Sequence, residues 1–132
     1  MAGMTTFGAN LALAWLFTTG TAVRPTTWFV AIHTGDPGAE GASSEVVVGD
    51  DADYVRQAIA FGTPALKQAK NTGAVTFTPA SAATAYDVTH VSIWDASTAG
   101  NCICKANIQA IRTIDNSNPL VLAIGDIVEA FS

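Results

Sequence analysis

Two histidines are the residues of this chain best suited to acid–base chemistry. His33 is followed three positions later by Asp36, and His90 lies four positions before Trp94. A histidine beside a carboxylate is the minimum for general acid–base catalysis. However, the Gly-Asp-Pro sequence after Thr34 is typical of a turn, where a hydrogen bond between His33 and Asp36 would shape the backbone. We therefore predict that neither histidine is catalytic.

The sequence also lacks the short motifs that carry common catalytic chemistry. It contains no Gly-x-Ser-x-Gly elbow, no P-loop, no His-Glu-x-x-His pair and no Cys-x-x-Cys pair. With neither a motif nor a supported geometry, we predict a protein that is not an enzyme and that uses no cofactor.

An acidic loop over about residues 36–53 is the best candidate for a metal site. It contains six carboxylates and no Lys or Arg: Asp36, Glu40, Glu45, Asp50, Asp51 and Asp53. The Asp-Asp-x-Asp segment offers oxygen ligands that Ca²⁺ accepts from irregular loops, but the turn glycine and closing glutamate of an EF-hand are missing. We therefore predict no metal site and a solvated loop whose charge keeps subunits soluble, with Ca²⁺ binding as the alternative.

Arg56 is an isolated charge in an otherwise apolar segment, residues 54–61. A charge in such a place must be paired if it is buried. We predict a structural tether to a carboxylate, supplied by Asp53 or Asp95. The alternative is a bidentate contact with a neighbouring subunit.

Four aromatic residues invite comparison with the sugar-stacking platform of a lectin. Trp28 and Trp94 fall within predicted strands, so core packing is favoured for them over ligand contact. Tyr86 falls in a predicted loop, and it is the candidate ligand contact. Trp15 belongs to the N-terminal helix described next.

The first element that must position these side chains is a helix over about residues 6–18. Thr5 or Thr6 can cap it, and Gly20 is placed to end it. The helix is apolar nearly all round, and its large residues include Leu11, Trp15 and Leu16. Such a helix must be covered either by its own sheet or by another subunit. Leu11, Trp15 and Leu16 are therefore candidate assembly contacts.

The rest of the chain predicts short strands separated by turns. They lie at about residues 28–34, 54–61, 74–78, 88–94, 102–108, 110–114, 120–124 and 127–131. This spacing favours a mainly β fold, an antiparallel β-sandwich or barrel-like domain over residues 1–132. Cys102 and Cys104 would project from one strand face about 6.5–7 Å apart, near the limit for a disulfide, so we predict two reduced core thiols.

The composition of the chain limits the kinds of partner that it can bind. The 132 residues are 49% hydrophobic and 13% charged, with a net charge of −5. Low surface charge favours a subunit of an assembly over a compact monomer. The acidic balance argues against binding nucleic acid. The longest apolar run, residues 11–17, is far shorter than the ~20 residues of a membrane-spanning helix, so we predict no membrane partner and synthesis in the cytoplasm.

Four blocks in fixed order carry a family resemblance. They are WFVAIHTGDP at 28–37, YVRQA at 54–58, NTGAVTF at 71–77 and VTHVSIWDA at 88–96. Together they resemble a family of small, tail-fibre-like virion structural proteins of tailed bacteriophages. The resemblance implies structural roles for these residues, with no catalytic or ligand role. It predicts a tail-fibre or tail-tip component in the virion, with capsid decoration on the head exterior and a receptor- or glycan-binding module as alternatives.

The resemblance also implies partners. We expect contacts with copies of the chain itself and with other virion proteins, made through apolar and edge-strand surfaces. Members of the family usually continue past the Gly125-Asp126 segment with a further turn and strand. The last strand here, which contains Ile127, Val128 and Phe131, is therefore predicted to be an open edge that a neighbouring subunit pairs with.

Overall fold

The fold is mainly β with one short N-terminal helix, as predicted. The computed structural model describes residues 3–78, 85–115 and 117–130. In chain order the elements are β1 (Gly3–Met4), α1 (Thr6–Phe17), β2 (Trp28–His33), β3 (Gln57–Ile59), β4 (Gln68–Lys70), β5 (Val75–Phe77), β6 (Tyr86–Trp94), β7 (Cys102–Ile114), β8 (Leu120–Leu122) and β9 (Val128–Ala130).

The strands form one antiparallel sheet of five strands in the order β1-β7-β6-β2-β3, and two ribbons, β4-β9 and β5-β8. Alternate residues of each strand point to opposite faces, so one face of the large sheet can be wholly apolar. That face packs against the β5-β8 ribbon, and both contribute to one buried cluster that includes Val30, Ile32, Val91, Ile93, Val75, Phe77, Leu120 and Leu122. The predicted antiparallel β-sandwich is confirmed.

Strand β7 is longer than predicted. Residues 102–108 and 110–114 were expected as two strands, but Cys102–Ile114 is continuous. Where the apolar pattern is interrupted, the pairing between β7 and β6 is irregular. Val88 pairs with Arg112, whereas His90 pairs with Asn107. The extra residues of β7 bulge from the ladder without ending the strand.

A second bulge separates the two cysteines. Trp94 pairs with Cys102 and Ile93 with Cys104, so Ile103 is the extra residue. Successive residues of β6 point to opposite faces, and the two cysteines therefore do so as well. The prediction that they share a face is wrong. Both are buried thiols outside any disulfide, and burial raises the pKa of Cys102 to about 11.

The helix is fixed to β7 at its N-terminal end. Thr5 is the N-cap and accepts a hydrogen bond from the Gly8 N–H at 3.2 Å, while its hydroxyl contacts the carbonyls of Cys102 and Ile103. Gly8 lies so close to β7 that a Cβ built on it would stand 2.0 Å from the Ile103 carbonyl oxygen. The helix ends at Phe17, with an extended Thr18 as C-cap, so Gly20 is not needed to end it.

Within the described residues the C-terminal strand is paired on one side only, so the predicted open edge stays a prediction. Residues 128–130 of β9 pair with 70–68 of β4, a strand that the sequence pattern did not predict. Ile127 is buried in the core, and its N–H donates to Asn71 Oδ1 at 3.0 Å. Ile127 is therefore a core residue, whereas Val128 is half-buried on a strand that has a partner on one side. Phe131 lies outside the described residues.

Candidate functional site

The outer half of α1 exposes a large apolar surface. Leu13, Trp15, Leu16 and Phe17 are 54%, 68%, 58% and 78% exposed, and we call these four residues the helix surface. The helix contains no charged residue, and only Gly8 is buried. Because the attachment to β7 lies at the N-terminal end, the C-terminal turns extend over solvent. An exposed apolar surface of this kind is typical of a protein–protein contact.

A pocket of about 220 Å³ lies between this helix, β1 and β7. Its lining includes Met4, Leu11, Trp15, Ile103 and Arg24. Leu11 is half-buried there, whereas Trp15 and Leu16 are exposed. Arg24 is the one charged residue of the lining, and it makes no hydrogen bond or ion pair within the described part of the chain. The pocket is therefore apolar with a cationic rim.

Arg56 is tethered inside the chain, but its carboxylate partner is Glu45. Its Nε donates to Glu45 Oε1 at 2.7 Å and its Nη2 to Oε2 at 2.8 Å, a bidentate pair. Its Nη1 donates to the carbonyls of Ala96 and Ala99, and the guanidinium stacks on the Trp94 ring. Although burial opposes the charged form, hydrogen bonds from Arg56 and Tyr54 hold the pKa of Glu45 below its ordinary value.

The two predicted partners of Arg56 lie elsewhere, and that part of the prediction is wrong. The carboxylate of Asp95 accepts from the backbone N–H and the side-chain amide of Asn101, at 2.7 and 3.0 Å. The backbone N–H of Asp53 donates to Asp51 Oδ1. Glu45 reaches Arg56 because its loop folds back to bridge with His33 at the end of β2. Spacing along the sequence carries no signal of that contact.

His33 is part of a buried chain of hydrogen bonds that does not include Asp36. Trp94 Nε1 donates to Ser92 Oγ at 2.7 Å, Ser92 Oγ lies 2.6 Å from His33 Nε2, and His33 Nδ1 lies 2.8 Å from the Ser43 carbonyl. A carbonyl can only accept, so Nδ1 carries the proton and Nε2 accepts from the Ser92 hydroxyl. Burial lowers the pKa of His33, which favours this neutral form.

A serine bonded to a histidine resembles a nucleophile with its base. Here both Ser92 and His33 are fully buried, so this pair presents no surface to a substrate. The Nδ1 atom of the other histidine, His90, lies 2.7 Å from the Thr89 hydroxyl oxygen. We therefore assign the Ser92–His33 pair to holding the loop at Ser43 against the sheet.

The acidic loop distributes its carboxylates among separate partners. Asp36 accepts from Lys105 Nζ at 2.8 Å and from the Gly38 N–H at 2.8 Å, and these bonds lower its pKa to about 2. Glu45 binds Arg56, and the buried Asp51 accepts from the Tyr86 hydroxyl at 2.7 Å. Among the residues that the structure describes, no three His, Cys, Asp or Glu side chains are grouped as a metal site.

Tyr86 begins strand β6 and does not lie in a loop, which corrects its predicted position. Its ring packs against the core, and its hydroxyl donates to Asp51. Burial, followed by the hydrogen bond to Asp51, raises the pKa of Tyr86. Its hydroxyl is thus used inside the fold, which removes the observation that made Tyr86 a ligand candidate.

Over the described ranges, no helix has the length and apolar character needed to span a bilayer.

The β-sandwich with an exposed apolar helix fits a structural protein that is built into a larger particle, and comparison with known families identifies which kind. The family described as podophage GP4 fiber I protein gp80 matches residues 3–129, nearly the whole chain, and the protein belongs to that family. It is therefore a fibre component of a phage virion that contacts other virion proteins. No curated protein matches the sequence.

Proposed function

We propose that this protein is a non-enzymatic subunit of the tail fibre or tail tip, held in the particle by the helix surface. The observation that carries the proposal is four large apolar side chains on a helix without charge. Burying one such side chain stabilises a contact by about 1.5–3 kcal/mol. Several together can hold a subunit in place without any salt bridge.

The candidate interface differs from the predicted one in extent. Leu11, Trp15 and Leu16 remain in it, with Leu11 in the pocket and the other two on the exposed side. Ile127 leaves it, because it is buried in the core, whereas Val128 stays a predicted contact. Capsid decoration on the head and glycan binding stay predictions.

The experiment is to measure the copies of this protein in purified phage particles by quantitative mass spectrometry, for wild type and two variants. Trp15→Glu places a charge on the helix surface, and Ile124→Glu does the same at a site that is 69% exposed against 68% for Trp15. We expect Trp15→Glu to be missing from particles and Ile124→Glu to be incorporated normally. Normal incorporation of Trp15→Glu contradicts the proposal, and hundreds of copies per particle would favour the head.

A further inference from the structure

We propose that the neighbour at the pocket is a second copy of this chain, whose turn at Val47 and Val48 inserts beside α1 while its Asp50 pairs with Arg24. We call Val47, Val48 and Asp50 the valine turn. The inference rests on the proposed function, since it names the partner for the pocket beside α1, to which Trp15 of the helix surface also belongs.

The valine turn is an exposed and preformed apolar projection. Val47 and Val48 are 53% and 69% exposed, although both follow the buried Val46. The N–H groups of Asp50 and Asp51 donate to the Val47 carbonyl at 2.8 and 3.0 Å, which fixes the backbone in a tight turn. A segment that is already ordered loses little conformational entropy when it binds.

The charges of the two surfaces are complementary. Arg24 is exposed at the rim of the pocket, and it is the single Lys or Arg in residues 1–55. The exposed carboxylate of Asp50 has no hydrogen-bond or ion-pair partner within the described residues. Each surface thus presents apolar groups beside one unpaired charge, and the two charges are opposite. Such complementarity selects the partner and its orientation.

The two surfaces lie at opposite edges of the five-stranded sheet. Met4 of β1 and Ile103 of β7 line the pocket, so it lies at the β1 edge. Glu45 bridges with His33, and the Val46 N–H donates to the Ile32 carbonyl at 3.1 Å. Since β6 occupies the other side of β2, this segment lies on the β3 side. One chain therefore cannot fill its own pocket, whereas head-to-tail copies can do so repeatedly.

A symmetric contact between two helix surfaces is the main competing arrangement. It supplies no carboxylate to Arg24, because α1 has no acidic residue, and it leaves the valine turn in solvent. The head-to-tail arrangement uses both, so the observations favour it.

The test is a charge exchange, measured by sedimentation equilibrium of the full chain over a concentration series. We compare wild type with Arg24→Asp, Asp50→Arg and the double variant. Glu40→Arg is the matched control, because Glu40 is another exposed acid of the same loop. We expect each single exchange to weaken self-association by at least about tenfold and the double variant to restore most of it. We expect Glu40→Arg to associate like wild type.

Three results would overturn the inference: a wild-type chain that stays monomeric, single variants that associate like wild type, or a double variant that is not restored. The outcomes separate this inference from the proposed function. If Trp15→Glu abolishes association while Asp50→Arg has no effect, the helix surface is the interface but the symmetric contact is the correct one. If Trp15→Glu is incorporated normally into particles, the proposed function itself fails.

Discussion

The guanidinium carbon of Arg56 lies 3.7 Å from the centroid of the Trp94 ring. In this position Arg56 also reaches Glu45 of the acidic loop and two carbonyls of the turn between β6 and β7. One side chain therefore joins a long loop, a strand and a hairpin turn. Stacking and a bidentate fork are both properties of arginine that lysine lacks.

We expect Arg56→Lys to lower the free energy of unfolding by about 1–3 kcal/mol, because lysine keeps the charge but loses the fork and the stacking. Urea denaturation followed by tryptophan fluorescence measures the change. Arg112→Lys is the control, since Arg112 is exposed on β7 and should tolerate the exchange. Equal stability of Arg56→Lys and wild type would show that the fork is not a structural tether.

Gly8 is predicted to accept no larger residue. An alanine there would place its Cβ 2.0 Å from the Ile103 carbonyl oxygen, so α1 must move away from β7. We expect Gly8→Ala to destabilise the protein by about 1–3 kcal/mol, the usual effect of overpacking. Gly20→Ala is the matched control, because its nearest neighbour would be 3.7 Å away. A Gly8→Ala variant as stable as wild type would mean that the helix is not held as described.

Asn71 is predicted to be essential for the C-terminal segment. Its Oδ1 accepts from the Gly125 and Ile127 N–H groups, and its Nδ2 donates to the Gly73 and Ala123 carbonyls. Asn71→Ala removes the partner of the Ile127 N–H and of the Gly73 carbonyl, while the Gly125 N–H keeps its bond to the Asn71 carbonyl and the Ala123 carbonyl keeps its bond from the Asp126 N–H, and we expect a loss of about 2–5 kcal/mol. Asn10→Ala, at an exposed helix position, serves as control. Hydrogen exchange should show faster exchange at residue 127 in the Asn71 variant, and unchanged protection there would contradict the assignment.

The stability should fall between neutral and mildly acidic pH because of His33. Burial lowers the pKa of His33 from 6.5, so the unfolded chain takes up a proton more readily than the folded chain. The His33 contribution to the free energy of unfolding is complete above pH 6.5 and is lost as the pH falls through the lowered folded-state value. Protonation also gives Nε2 a hydrogen that the Ser92 hydroxyl is not oriented to accept.

Urea denaturation at about pH 7.5, 6 and 5 measures this loss, in a range where carboxylates with ordinary or lowered pKa values stay charged. The pKa of His90 is lowered too, by its partial burial, so it contributes in the same direction. His90→Asn separates the two, and we expect it to keep most of the pH dependence. If His90→Asn removes the dependence altogether, the buried hydrogen-bond chain at His33 is not its source.

The strands that the sequence predicted well are those with continuous or alternating large apolar residues. The ends of β2 and β5 lie within one residue of their predicted positions, because the residues that the fold buries there are the apolar residues of the sequence pattern. Strand β4 was missed, because Gln68 and Lys70 are exposed on a short ribbon whose backbone pairing leaves no apolar pattern. The bulge at Ile103 was missed for a similar reason, since pairing register depends on the partner strand.

The charged contacts show the same limit. The type of residue at Arg56 predicted correctly that the guanidinium needs a carboxylate, but Asp53 or Asp95 was favoured, and the partner is Glu45. The choice of Glu45 depends on how the loop closes onto β2, which is a long-range property. Likewise, His33 bonds with Ser92, 59 residues away, instead of with Asp36 three residues away. Local spacing predicts which groups need partners, whereas the fold selects the partners.

The difference between the two edges of the large sheet has a consequence for any filament made from this subunit. Head-to-tail stacking would give such a filament a direction, with an empty pocket at one terminus and an uncovered valine turn at the other. An attachment protein could then recognise a single terminus and fix which way the fibre points from the virion. A protein that resembles the valine turn could stop elongation at a set length by capping the pocket.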